Sequence, residues 1–352
     1  MCFIYQYDNG FTPNCISGTN GPMHRAPKFH AQPFLAQGAY LFAKQSNDLA
    51  WLESVFAKLE KYLGYYELTM SAPNGLYRWP LTYIGGFDND VATNFFQPDT
   101  VVSVDLSSWM VREYRAMADI AVLLHKRDSN SKYKTKAEEI STLTNDLLWN
   151  EKAGSYAGLD LCTGKHVFSL GERCNEHDDT GIDEVGKYAF HSASNLIPLY
   201  AGIATKEKAK VLIERYVLSE KHFFSPFGIR SLSKSSEFYN NAVWGNAPRY
   251  GDHTRLTNSN WQGPIWAPLC IFMSQALKFY GYDKEAKEIC NRTVKTMADS
   301  IRKVGSMAEN FHAENGEALY GREFASWNIL TDIMHELLEQ PYWLAPVYHE
   351  EK

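Results

Sequence analysis

Residues 46–64 read "SNDLAWLESVFAKLEKYLG". Leu49, Leu52, Val55, Phe56, Leu59, Tyr62 and Leu63 recur at three- and four-residue spacing, which is one apolar face of a helix. Ser46 or Asn47 can cap its start and Gly64 can end it. A helix with one apolar stripe needs a partner, and the preceding "AQPFLAQGAYLFAK" supplies an antiparallel one. The fold follows from the repetition of this unit. "DLSSWMVREYRAMADIAVLL" and "KYKTKAEEISTLTNDLLW" make a second pair, with Asp128, Ser129 and Asn130 as the turn between them. Residues 190–203 with 206–217, and 261–281 with 284–303 capped at Asp283, make a third and a fourth. A last helix runs over 323–339 and stops before Pro341.

Nine helices are predicted, with little strand beyond short extended pieces in "GSYAGLDL" and "GIRSL". Hairpins of unequal length and no shared consensus favour an all-α closed toroid over an open solenoid. The long connections at 64–104, 150–189, 218–260 and 304–322 then gather at one end, where function is expected. No shift in composition marks a second domain, so residues 1–352 read as one.

Composition narrows the partners. The net charge of −6 is spread along the chain and offers no basic face for nucleic acid or an anionic membrane. Aromatic residues make up 14% of the chain, which suits a ring-rich core and equally a site that stacks on sugars. The six cysteines form no CxxC pair and read as free thiols. Cys162, Cys174 and His177 match no zinc spacing, and the acidic "ERCNEHDDTGIDE" at 172–184 fails the calcium-loop template, so neither a metal nor another cofactor is expected. The start lacks a signal peptide, which favours the cytoplasm. No apolar run is long enough to span a membrane. Asn291-Arg292-Thr293 is a glycosylation sequon inside a predicted helix and carries little weight.

Three loop segments carry chemistry. "TYIGGFDNDVATNFF", residues 82–96, places Asp88 and Asp90 behind two glycines and among rings. Burial against rings raises a carboxyl's proton affinity, which a general acid needs, although Asp-Asn-Asp after Gly-Gly is also ordinary turn chemistry. "SMAENFHAENGEALYG", residues 306–321, offers Glu309 as a base, with His312 as a support or a local hydrogen-bonding residue. "NSNWQGPIWAPL", residues 258–269, sets Gln262 and Gly263 between Trp261 and Trp266, fit for stacking on a sugar or for starting a helix.

Taken in order, FDND, NWQGPIW and AENFHAENGE resemble the (α/α)6-barrel glycosidases of glycoside hydrolase family 63, in its mannosylglycerate hydrolase-like branch, with trehalase a more distant cousin. "VVSVDLSSWMVREYRAMADIA", "LLWNEKAGSYAGLD" and "FSPFGIRSLSKSSEFY" extend the likeness over about residues 9–338. The resemblance implies an inverting hydrolase of α-linked sugars such as mannosyl or glucosyl glycerate, a disaccharide or an oligosaccharide. Asp88 then takes the place of the general acid and Glu309 that of the general base. Gln32, Tyr83, Phe87, Asn89, Trp261, Gln262, Gly263, Trp266 and His312 take the places of sugar-contacting residues.

Two departures bear on the substrate. Tyr83-Ile84-Gly85-Gly86 stands where the family has Trp-Glu-Ser-Gly, and Gln262 replaces an arginine. A catalytically inactive carbohydrate-binding relative, or a trehalase, is therefore the alternative reading. "YQYDNGFTPN" resembles a loop that follows the family's first helices, so a barrel incomplete at the amino terminus is expected, with self-association at its open flank.

Overall fold

A computed structural model describes residues 2–14, 16–17, 21–22, 29–81, 85–94, 99–167, 191–236, 238–241, 260–321 and 323–339. Cys15, Tyr83, the acidic stretch 172–184 with Cys174 and His177, and Pro341 lie outside the described residues.

The helices are α1 (Leu35–Ser46), α2 (Leu49–Thr69), α3 (Val91–Asn94), α4 (Val104–Leu123), α5 (Arg127–Leu147), α6 (Ile197–Tyr200), α7 (Lys206–Leu212), α8 (Ala267–Phe279), α9 (Asp283–Val304) and α10 (Met334–Glu339). Hydrophobicity sorts them into two layers. α4 is buried on nearly every face and packs on α1 to one side and α6 to the other; α6 in turn packs on α8. A helix apolar all round belongs inside, and one with a single apolar stripe belongs outside. Thus α2, α5 and α9 back α1, α4 and α8. One hydrophobic core runs through the row, from Ala31 to Leu338.

The inner row is cross-tied by polar groups. α1 has no side-chain cap of its own. Glu113 of α4 supplies one, accepting from the Ala36 and Gln37 backbone N–H groups at 3.0 and 3.1 Å. Burial pushes the Glu113 carboxyl up to about 7, against the pull of these bonds. Its neighbour Arg112 donates to the Gln37 Oε1 at 2.7 Å and lies 4.0 Å over the Tyr200 ring, joining α1, α4 and α6.

Several boundaries differ from expectation, each for a local reason. Asp48, not Ser46 or Asn47, caps α2 by accepting from Trp51 N–H at 2.9 Å. Asn47 instead closes α1 at φ 54°. α2 continues through Gly64, because Tyr65 and Tyr66 beyond it are buried and repay the glycine. Asp128–Asn130 lie in the first turn of α5, and the reversal falls at His125, φ 56°. The third hairpin is broken up into 3-10 turn Ala193–Leu196, α6, α7 and π turn Ile213–Val217. α8 starts only at Ala267: Gly263 at φ 153° cannot be helical and Pro268 suits the first turn. Tyr282 rather than Asp283 caps α9. The last helix divides into 3-10 turn Trp327–Thr331 and α10. The sequon's Thr293 is buried in α9, its hydroxyl donating to the Ile289 carbonyl at 2.8 Å. Among the described residues no helix is long and apolar enough to cross a membrane.

Strand is scarce and short. Its main use lies at the amino-terminal ends of the inner helices. Antiparallel bridges join Ser192 to Leu232, Arg230 to Ile265 and Ile265 to Phe311, and a ladder joins Asn310 to Tyr320. These segments come from three loops. The strip holds together the connections that precede α6, α8 and the Trp327–Thr331 turn.

Candidate active site

The loop that bears Asp88 is built on a platform. Gly85 lies flat on the Trp79 indole, where an added Cβ would stand 2.9 Å from the ring nitrogen. The Trp79 N–H donates to both carboxylate oxygens of Asp105, at 3.3 and 3.1 Å. Burial, and then the charge of Asp90, push Asp105 up to about 7, with the Trp79 bond opposing. Asp90 is itself buried and raised. Its carboxylate accepts from the Ser194 and Ser192 hydroxyls and from Ala92 N–H, which pins the loop to the segment before α6.

Between these anchors stand Phe87, Asp88 and Asn89. Asn89 is fully buried, and its Oδ1 accepts the Trp261 backbone N–H at 2.8 Å. The Gln262 Nε2 donates to the Asn89 carbonyl at 3.3 Å. The Asn260 amide reaches the Asp88 carboxylate at 3.5 Å. Asp88 is held up at about 6 by burial, with the Asn260 amide pulling the other way.

The tryptophan segment serves as the wall of the site. Trp261 and Trp266 stack in parallel, centroids 4.2 Å apart and planes at 8°, and Phe87 meets Trp261 edge-on at 4.7 Å. Only 5% of Trp261 and 2% of Trp266 is exposed. Gln262 is 1% exposed, and its amide is engaged by Asn89 and, at 3.4 Å, by Asn240. Gln262 thus ties these loops together. Gly263 likewise lets the backbone pass: a Cβ there would lie 2.2 Å from the Asn240 carbonyl oxygen.

Glu309 approaches from the last loop. Its N–H donates to the carbonyls of Tyr320 and Gly321, at 2.9 and 3.2 Å. Its carboxyl is half-buried and raised, first by burial and then by the charge of Asp88. Two carboxyl groups more than half the chain apart in sequence are thus brought within electrostatic reach of each other.

The loop bearing Glu309 is clamped at Glu314. That carboxylate accepts from Arg230 at 2.8 Å, Lys234 at 2.7 Å and Tyr239 at 2.6 Å. Burial favours its neutral form, but the three donors win and hold it down at about 2. His312 serves the same turn, its Nδ1 accepting from Glu314 N–H at 3.1 Å.

Gln32 sits beside α1, its carbonyl accepting a hydrogen bond from Tyr62, within the cluster of His30, Tyr62 and Tyr66. Tyr83 falls outside the described residues. Trp79, Asp105, Asn260 and Gly321 belong to the site without any motif to announce them. The one signal for Asp105 is a carboxylate opening an otherwise apolar helix, in "VDLSSW". Among the described residues no group of three or more His, Cys, Asp or Glu could hold a metal ion.

Comparison with known proteins bears on this geometry. A family model described as "Mannosylglycerate hydrolase MGH1-like glycoside hydrolase domain" matches residues 1–327. The mannosylglycerate hydrolase of Rubrobacter radiotolerans is 24% identical over 242 residues, which are 68% of this chain and 45% of that protein, so the match spans less than half of the relative. Among solved structures, the GH63 mannosylglycerate hydrolase of Thermus thermophilus in complex with glucose superposes with a TM-score of 0.69 at 17% identity, covering 95% of this chain and 86% of that one. Neutral trehalase Nth1 of Saccharomyces cerevisiae does so with a TM-score of 0.59 at 16% identity, covering 90% and 64%. At such identities the structures share the fold, a GH63 (α/α)6 architecture of helical hairpins. By the extent of the family match, the chain belongs to the MGH1-like mannosylglycerate hydrolase family of glycoside hydrolases.

Proposed function

We propose that the protein hydrolyses an α-linked glycoside with inversion at the anomeric carbon, Asp88 acting as general acid and Glu309 as general base. The observation that carries this reading is a pair of partly buried carboxyl groups from distant loops, both raised by burial, Glu309 further by the charge of Asp88. Protonated Asp88 gives its proton to the glycosidic oxygen as the bond to the anomeric carbon breaks. Glu309 takes a proton from a water on the opposite face, and the hydroxide adds to that carbon. An inverter needs room for this water, which corresponds to carboxyl groups roughly 6.5–9.5 Å apart. The wall of Phe87, Trp261 and Trp266 keeps the acid side apolar, and burial holds Asp88 at about 6, so it keeps its proton to a higher pH than a free aspartate does.

Mannosylglycerate is the first substrate to try, because the family model and the Rubrobacter relative carry that name. Glucosylglycerate and trehalose follow. The main hydrophobic core, which draws on residues from Ala31 to Leu338, favours one catalytic domain over residues 1–352. A second reading is a carbohydrate-binding relative without turnover, and the internal use of Gln262 where the family has an arginine favours it. Calorimetry and product analysis on the same sugars separate the two. Turnover that disappears in Asp88→Asn supports hydrolysis, and binding without any product supports the second reading.

A further inference from the structure

The chain does more for Glu309 than bring it to the cleft. The strand Asn310–Phe311 pairs with Ala318–Tyr320 out of step: Asn310 faces Tyr320, but Phe311 faces Ala318. The extra residue, Leu319, makes a bulge beside Glu309, and bulges next to active sites re-aim side chains. The residue after the strand is Gly321, in the left-handed region at φ 60°. Its carbonyl and that of Tyr320 both accept the Glu309 N–H. A Cβ built on Gly321 would fall 2.6 Å from the Glu309 Cβ, 2.8 Å from its Oε2 and 3.5 Å from its carboxyl carbon. The acid chain therefore lies against bare backbone along its length, and no other residue fits beneath it.

The carbonyl of Ala308, just before Glu309, is held at 2.6 Å by the Asn328 amide. The far end of the loop is held by Glu314. With both flanks anchored, a side chain at 321 has to be accommodated by the Glu309 carboxylate itself.

We propose that Gly321 is the positioning residue for the general base: its missing side chain defines where the Glu309 carboxylate stands. The inference rests on the reading of Glu309 given above. Left-handed strain alone is a competing role for this glycine, and two substitutions tell them apart. Asparagine tolerates the left-handed region but carries a Cβ. Gly305, at φ 79° with nothing within 4 Å of its notional Cβ, reports strain without contact.

The test uses the full chain with mannosylglycerate, glucosylglycerate and trehalose as probes. Displacement of the base by an ångström lowers kcat about 100-fold while KM stays close to its wild-type value, in Gly321→Asn and Gly321→Ala alike. Gly305→Ala keeps its kcat. In a Glu309→Gln background, Gly321→Asn has no further effect, because the group it acts through is already lost. A crystal structure of either Gly321 variant shows the carboxylate moved from its wild-type place. A folded Gly321→Asn or Gly321→Ala variant with wild-type kcat and an unmoved carboxylate overturns the inference. Full activity in Glu309→Gln instead overturns the assignment of Glu309, and the crystal structure then decides the positioning role by itself.

Discussion

The Asn89 side chain joins the Asp88 loop to the tryptophan wall by accepting the buried Trp261 N–H, and removal of that acceptor has a calculable effect. Asn89→Ala leaves the Trp261 N–H, now 2.8 Å from the Asn89 Oδ1, without an acceptor in a closed interior. An orphaned buried donor costs about 1–3 kcal/mol, which a domain of about 5–15 kcal/mol total stability survives. The Gln262 bond to the Asn89 backbone carbonyl is untouched, so the loop shifts without coming free. Asp88 is the next residue, and a displacement of an ångström lowers kcat about 100-fold. Urea denaturation followed by tryptophan fluorescence reads the first effect, since the stacked Trp261 and Trp266 indoles sit at the break. Initial rates on mannosylglycerate read the second. Asn89→Asp keeps an acceptor for Trp261 and is expected to retain more stability than Asn89→Ala. Loss of stability below about 0.5 kcal/mol in Asn89→Ala, or wild-type kcat despite the loss, refutes the idea that this bond seats the acid.

Three other perturbations follow from the buried charges and the tight glycine. Asp105→Asn removes an acid held at about 7 instead of the ordinary 3.8. Its folded form keeps protons that the unfolded chain gives up, so the wild-type penalty grows as pH rises through that window, to the order of 4 kcal/mol. The variant should therefore gain on wild type between pH 4 and 7 in thermal unfolding, and a constant difference across that range counts against the buried acid. Glu314→Ala takes the carboxylate from Arg230, whose side chain is 2% exposed and keeps only the Glu220, His222 and Phe224 carbonyls, and should cost about 3 kcal/mol near neutral pH. Because Glu314 is held at about 2, that contribution is complete above its ordinary 4.5 and fades as pH falls toward 2; unfolding curves that match wild type at pH 7 argue against the clamp. Gly263→Ala drives a Cβ into the Asn240 carbonyl and should lose about 3 kcal/mol or more, or fail to fold; a well-folded variant of unchanged stability contradicts the packing.

Much of the architecture was legible because helix periodicity is local. Leu52, Val55, Phe56, Leu59, Tyr62 and Leu63 of α2 are buried, as their spacing required, whereas Leu49 of the same predicted face opens the helix and is exposed. The boundaries were less so. Gly64 stands mid-helix because buried tyrosines follow it, which is a tertiary effect. The burial of α4 on every side was equally hidden, since its charged Asp105, Arg112 and Glu113 find partners in other parts of the chain. In the site, Asp88 and Glu309 could be singled out only through ordered resemblance to a family, because each stretch alone reads as a turn. What holds them was out of reach for sequence reasoning. Trp79 beneath Gly85, Asn89 on Trp261 and Gly321 beneath Glu309 depend on how distant or re-aimed segments meet. Nor did its place between two indoles reveal that the Gln262 amide ties loops together.

The central claim is tested most directly by following the anomer released from mannosylglycerate by NMR, in wild type and in folded Asp88→Asn and Glu309→Gln variants. The account predicts β-mannose as the first product of the wild-type protein, and a loss of about 10²–10⁴-fold in kcat/KM in each variant. First-formed α-mannose, or hydrolysis that persists undiminished in both variants, would contradict it.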